Sequence, residues 1–148
     1  MKDSYHSSYH SLCDQFEGER STYLKEHLTM HHGWPEEQAS QAVRQYVMFL
    51  YIASLNLHRP LVPTQQIDRV WEADILRDTA QYIRTCRQLC GEVIHHAGSS
   101  RLQPVSDSSK QAIAFADTQR LFAQHFGENS LDGRAAMAAA CGVLIDTV

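Results

Sequence analysis

The stretch LVPTQQIDRVWEADILRDTAQYIRTCRQLCGEVIHHAG, residues 61–98, decides how this chain folds. It opens on Leu61-Val62-Pro63, which reads as extended because a residue before proline is steered away from the helical region. Thr64 then offers a side-chain oxygen as an N-cap. Ile67, Val70, Trp71 and Ile75, with Leu76 beside them, return at helical spacing, which predicts a helix facing inward along that stripe. From Asp78 to Leu89 the pattern continues, as the same helix or a further one, with Tyr82, Ile83, Cys86 and Leu89 on one face. Gly91 and Gly98 close the region. No alternating β-branched run, the mark of a half-buried strand, occurs in it or elsewhere in the chain.

Working outward, the same periodicity recurs on both sides. Pro35 suits a first helical position, Glu36 and Glu37 favour the positive end of a helix dipole, and Ala39, Val43, Tyr46, Val47, Leu50 and Ser54 carry a helix towards Asn56. Before it, a helix is expected over Glu19–His31. A first one is expected within Tyr5–Phe16, although residues 1–16 also read as a flexible terminal segment. After the central stretch, a Ser-rich loop at 99–109 leads into a helix over Ser109–Phe126 anchored by Ile113, Phe115, Leu121, Phe122 and Phe126. The alanine-rich residues 131–148, capped by Asp132, are expected to form a last helix of small side chains. The sum is an all-α chain, a single compact domain of five to seven helices over residues 1–148.

Composition agrees and narrows the function classes. At 148 residues, 43% apolar and 20% charged, the chain is of ordinary single-domain size and make-up. Thirteen Lys and Arg against 17 Asp and Glu give a formal charge of −4. Such a surface lacks the clustered cations that neutralise phosphates or meet anionic lipid, so neither nucleic acid nor membrane is expected as a partner. The longest apolar stretch, Tyr46–Leu55, is short of the roughly 20 residues a bilayer requires. MKDSYHSSYHSLCDQ has no signal-peptide core, which gives a cytoplasmic expectation. Cys13, Cys86, Cys90 and Cys141 are then expected as free, mostly buried thiols rather than a metal or redox set.

The residues that could carry chemistry lie in the central stretch. Asp68, Glu72, Asp74 and Asp78 fall on one helical region, and His95 and His96 follow a glycine that would let them fold back towards it. Carboxylates with imidazole suit iron, manganese or zinc, and equally suit acid–base work. Acidic residues on a helix are more often a solvated face, here with Arg69, Arg77 and Arg84 to neutralise them, and a His pair near a helix end often packs or caps. His27 and His31 have the spacing of a two-histidine site but lack the glutamate of an HExxH motif. No phosphate loop or nucleophile elbow is present.

The run VPTQQIDRVW, followed by ADIL, DTAQY, a cysteine, a glycine and the His95-His96 pair, resembles bacterial proteins of the glycine-rich domain-containing protein-like family. The pattern there runs VPS or VPT, two residues, IDxVWHxHILDTxxY, and later a cysteine, a glycine and HH. GWPEEQA with YVMFLYIA resembles that family's opening helix and TQRLFAQHFG its closing one, so the likeness spans residues 33–127. This chain departs from the pattern in carrying Glu72 and Asp74 in place of His-x-His, one extra residue near Arg77, and Ala97-Gly98-Ser99-Ser100 after HH. If the family's histidines hold a metal, the resemblance implies either a changed ligand set favouring a harder ion or a lost site.

Three functional expectations follow. The first, and the one the residues favour, is a helical binding or interaction module, with a protein partner or a second copy of the chain held through the small-residue tail. The second is a metal-dependent protein or enzyme holding a divalent ion with Glu72, Asp74, His95 and His96, with Asp68 orienting a histidine. The third is a small-molecule pocket lined by Trp71, Tyr82 and Tyr46.

Overall fold

The computed structural model describes residues 2–98, 108–131, 139 and 141–144. Six helices run through the described residues: α1 (Lys2–Gln15), α2 (Glu19–His32), α3 (Glu36–Leu55), α4 (Gln65–Arg77), α5 (Thr79–Cys90) and α6 (Ser108–Phe126). The all-helical class expected from the sequence holds. A short two-stranded ribbon is added to it, β1 (His95–Gly98) and β2 (Cys141–Leu144), antiparallel with His95 opposite Leu144 and Gly98 opposite Cys141.

The helix ends follow from local chemistry. Thr64 caps α4 as expected, its hydroxyl accepting from the Ile67 N–H at 3.1 Å. α4 and α5 are separate helices because Asp78 adopts an extended backbone between them and its carboxylate accepts from the Gln81 N–H at 3.0 Å. α5 stops at Gly91, whose φ of 79° is the left-handed conformation that costs a side-chain-bearing residue about 1 kcal/mol or more. Pro35 stands just outside α3, at its N-cap, rather than at its first turn.

α3 lies at the centre, packing against α1, α2, α4, α5 and α6. One continuous core runs from Leu12 of α1 and Phe16 just after it through Leu24, Leu28, Tyr46, Phe49, Leu50, Ile52, Ile67 and Trp71 to Phe122 and Leu131. Phe49 meets Trp71 edge-on with ring centres 5.4 Å apart, and Phe16 meets Tyr46 at 5.6 Å. The connector before α4 is tied at both sides: the Val62 N–H donates to Thr118 Oγ1 at 3.1 Å, and the Ala139 N–H donates to the Pro63 carbonyl at 3.0 Å. No helix of the described residues is long and apolar enough to cross a membrane.

Several expectations need correction. The first helix, expected within Tyr5–Phe16, starts earlier, at Lys2, and Leu12 of α1 and Phe16 just after it lie in the core. The last helix expected over 131–148 does not extend through Cys141–Leu144, which is strand β2. Gly142 weakens a helix there, and the backbone of β1 offers a ladder to pair with. The cap at Asp132, most of the small-residue tail, and nearly all of the 99–109 loop fall outside the described residues. Leu76 and Ile113, read as inward, are 83% and 64% exposed. On α4 the inward stripe passes through Ala73 and Asp74 instead.

Candidate functional site

A helix turns about 100° per residue, so positions two apart point in nearly opposite directions and positions four apart lie on one face. That rule divides the acidic residues of α4 between two roles.

Asp74 faces the core. Its carboxylate, 2% exposed as a residue, receives Arg20 Nε at 2.8 Å and Arg20 Nη2 at 2.7 Å, a two-pronged ion pair in which Arg20 is itself only 3% exposed. The Tyr46 hydroxyl donates to the same carboxylate at 2.7 Å. Arg20 also donates to Thr85 Oγ1 at 2.9 Å, and Thr85 Oγ1 lies 2.9 Å from Gln15 Oε1. Side chains of α1, α2, α3, α4 and α5 therefore meet around one guanidinium, which in addition lies 4.0 Å over the Phe16 ring. Burial, with the Asp74 charge next in weight, pushes the Tyr46 hydroxyl well above its ordinary range, so it stays a donor. Asp74 is thus not the metal ligand the sequence suggested. Its lone pairs are committed to Arg20 and Tyr46, and the Arg20 charge beside it would repel a cation.

Asp78, a further candidate site residue, is exposed and acts as the N-cap of α5. Trp71 and Tyr82 belong to the wall behind the site. The Trp71 indole N–H donates to the Tyr82 hydroxyl at 2.8 Å, and that hydroxyl donates to the Ile94 carbonyl at the start of the ribbon. Tyr46 and Trp71 have no exposed surface, so the pocket expected between Trp71, Tyr82 and Tyr46 is filled core instead. Deep burial raises the Tyr82 hydroxyl above its usual value.

On the other face of α4, Asp68 and Glu72 stand one turn apart, and β1 brings His96 against them. His96 Nε2 lies 2.5 Å from Asp68 Oδ1. The His96 ring rests edge-on against Trp71, ring centres 4.6 Å apart, which fixes its plane. One ligand atom from each of Asp68, Glu72 and His96 lies within 4.8 Å of the other two, and all three residues are partly buried. Glu72 is also 3.8 Å from Arg69, an exposed pair of little energetic weight. Of the expected metal ligands, Glu72 and His96 are therefore brought together and Asp74 is not. His95 lines the adjoining surface but is outside the converging set. Asp68, expected in a supporting part, is a member of the set itself.

Beside the cluster runs an open groove of about 450 Å³, floored by Tyr82 and walled by Ile75, Leu76, Ile83 and Val93, with Glu72 and His96 at one side. Elsewhere, the His27 and His31 rings stand 4.5 Å apart as their spacing predicts. Among the described residues, however, only Asp68, Glu72 and His96 form a three-ligand set. Burial raises the thiols of Cys86 and Cys90 above their ordinary value, which disfavours the thiolate at both.

Comparison of the chain with family models, with curated proteins and with solved structures gave no match.

Proposed function

We propose that this protein is a divalent-metal-binding helical domain whose ion is held by Asp68, Glu72 and His96 and faces the groove beside α4 and α5. One observation carries the reading: three side chains of metal-ligating type, from a helix and a strand, converge to within 4.8 Å. Two donors bound to one ion at about 2.1–2.4 Å can be no more than roughly 4.2–4.8 Å apart, so the set needs little movement to close on a cation. The separation of 2.5 Å between His96 and Asp68 is a hydrogen bond, and it must open to about 3 Å as the shared proton leaves and the ion enters.

The geometry on the protein's side favours an ion. Two carboxylates one turn apart on a helix repel by a few tenths of a kcal/mol, and a cation between them reverses the sign. Trp71 already holds the imidazole in one plane, so little rotamer freedom remains to be lost. Two carboxylates and one imidazole suit manganese, iron(II) or zinc better than copper(I). Three protein ligands would leave positions for water or a bound molecule, and a bound ion would supply Lewis acidity to whatever occupies the groove. The ligand set stands on geometry alone and requires nothing of the family resemblance.

Cobalt(II) titration of the untagged protein tests this, since cobalt reports coordination through its visible bands. One ion per chain is expected, with the bands lost in Asp68→Asn and in His96→Ala and retained in a His27→Ala, His31→Ala control. Binding that survives both site variants, or that disappears in the control, refutes the assignment.

A further inference from the structure

A second concavity shares no residue with the groove beside the cluster. It is a cleft of about 1090 Å³ between the middle of α1, the end of α3 with the turn after it, and the last turns of α6. Its lining is unlike the rest of a chain whose formal charge is −4. Arg59, Arg120, His10 and His125 line it, and among the described residues no carboxylate does. Its walls hold three aromatic rings in mutual contact: Tyr9 with Tyr51 at 5.1 Å, Tyr9 with Phe126 at 5.2 Å, and Tyr51 with Phe126 at 6.2 Å between ring centres. The His125 ring stands edge-on to Tyr51 at 6.2 Å.

We propose that this cleft binds a small aromatic anion, its ring against Tyr9, Tyr51 and Phe126 and its carboxylate, phosphate or sulfate group between Arg59 and Arg120. The platform has a fixed shape, because Tyr51 is 6% exposed and the three rings brace one another. Stacked or edge-on aromatic contacts favour a planar guest over an aliphatic one of equal area. The guanidinium fork matches an oxyanion and gives stronger, shorter hydrogen bonds than a neutral donor. Arg120 does have a carboxylate nearby, Asp117 at 3.0 Å on the same helix, but that pair is half-exposed and weak, so a ligand can compete for the guanidinium. Arg59 sits on the turn after α3, exposed at the cleft rim. A neutral aromatic molecule would make no use of the two guanidinium groups. A bare inorganic anion would leave the rings unused.

The test is an NMR titration of the whole protein at low salt with phenyl phosphate as probe, alongside benzoate, inorganic phosphate and benzyl alcohol. Phenyl phosphate and benzoate should saturate with shifts centred on Tyr9, Tyr51, His125 and Phe126, at least roughly tenfold tighter than inorganic phosphate or benzyl alcohol. An Arg59→Gln, Arg120→Gln variant should keep the wild-type spectrum elsewhere and weaken both aromatic anions roughly tenfold or more. A Tyr9→Leu variant should weaken the aromatic anions and leave inorganic phosphate unchanged. Equal affinity for inorganic phosphate and phenyl phosphate, shifts that map away from the cleft, or binding untouched by the double variant would each overturn the proposal. None of these outcomes depends on cobalt or on Asp68, Glu72 and His96.

Discussion

Replacing Asp74 with alanine separates a structural carboxylate from a metal ligand. In the folded protein the Arg20 guanidinium is 3% exposed and gives two hydrogen bonds to Asp74, while Tyr46 gives a third. Asp74→Ala leaves a buried positive charge with only Thr85 as a polar partner, together with an unmet Tyr46 hydroxyl. Breaking a buried ion pair from one side costs about 3–5 kcal/mol, out of a total that for such a domain is about 5–15 kcal/mol. The melting temperature should fall by roughly 10 °C or more. Urea unfolding followed by circular dichroism gives the free energy, and cobalt titration on the same samples gives the ion content. The expected result is a large loss of stability with ion binding retained in the fraction that folds. Replacing both partners, Arg20→Met with Asp74→Leu, removes the stranded charge and should recover most of the loss. The reasoning is refuted if Asp74→Ala costs less than about 1 kcal/mol, or if the paired replacement is no more stable than the single one.

Two further outcomes follow from the wall behind the cluster. Burial holds Cys86, Tyr46 and Tyr82 above their ordinary values of 9.0 and 10.0, so the folded state keeps protons that the unfolded chain releases. Their contribution is complete below pH 9 and is lost as pH rises, so urea midpoints should drop steadily from pH 9 upward, and a flat profile to pH 11 would contradict this burial. Tyr82→Phe removes the acceptor of the fully buried Trp71 N–H and the donor to Ile94, and should cost about 1–3 kcal/mol in urea unfolding. A change below about 0.5 kcal/mol would mean that the indole finds another partner.

The fold was legible in the sequence where local chemistry decides it. Thr64, Gly91 and the apolar stripe of α3 mark their elements through capping, a left-handed turn and a 3.6-residue period, none of which needs a distant partner. The ribbon was not legible. Each of its strands is four residues long, and β1 pairs with a segment 43 to 49 positions further on, from Gly98↔Cys141 to His95↔Leu144. Arg20 gave no signal either, because a buried arginine is defined by the carboxylate it meets, and that carboxylate lies 54 residues away. The aromatic cleft is assembled in the same way, from three helices whose rings look like ordinary core positions when read singly.

The site itself was half legible, and the missing half lies in helix geometry rather than in distant contacts. Glu72 and Asp74 group as candidate ligands in the sequence because they occupy the two outer places of an x-separated pair. On one helix such positions are about 200° apart, so whatever residues fill them, a single ion cannot draw on both without the helix unwinding. α4 is intact through both, from Gln65 to Arg77. Counting by four from Glu72 reaches Asp68 on the same face, and that residue joins the converging set. Counting by two reaches the core, where Asp74 has Arg20. On β1, successive residues turn to opposite faces, and of the adjacent pair it is His96 that meets Asp68, while His95 stays outside the converging set. The strand period separates the two histidines, and the contact with Asp68 shows that His96 is the one that joins the set. The ligand set follows from the two backbone periods together with the placing of β1 against α4, and that placing is the one fact the local sequence does not supply.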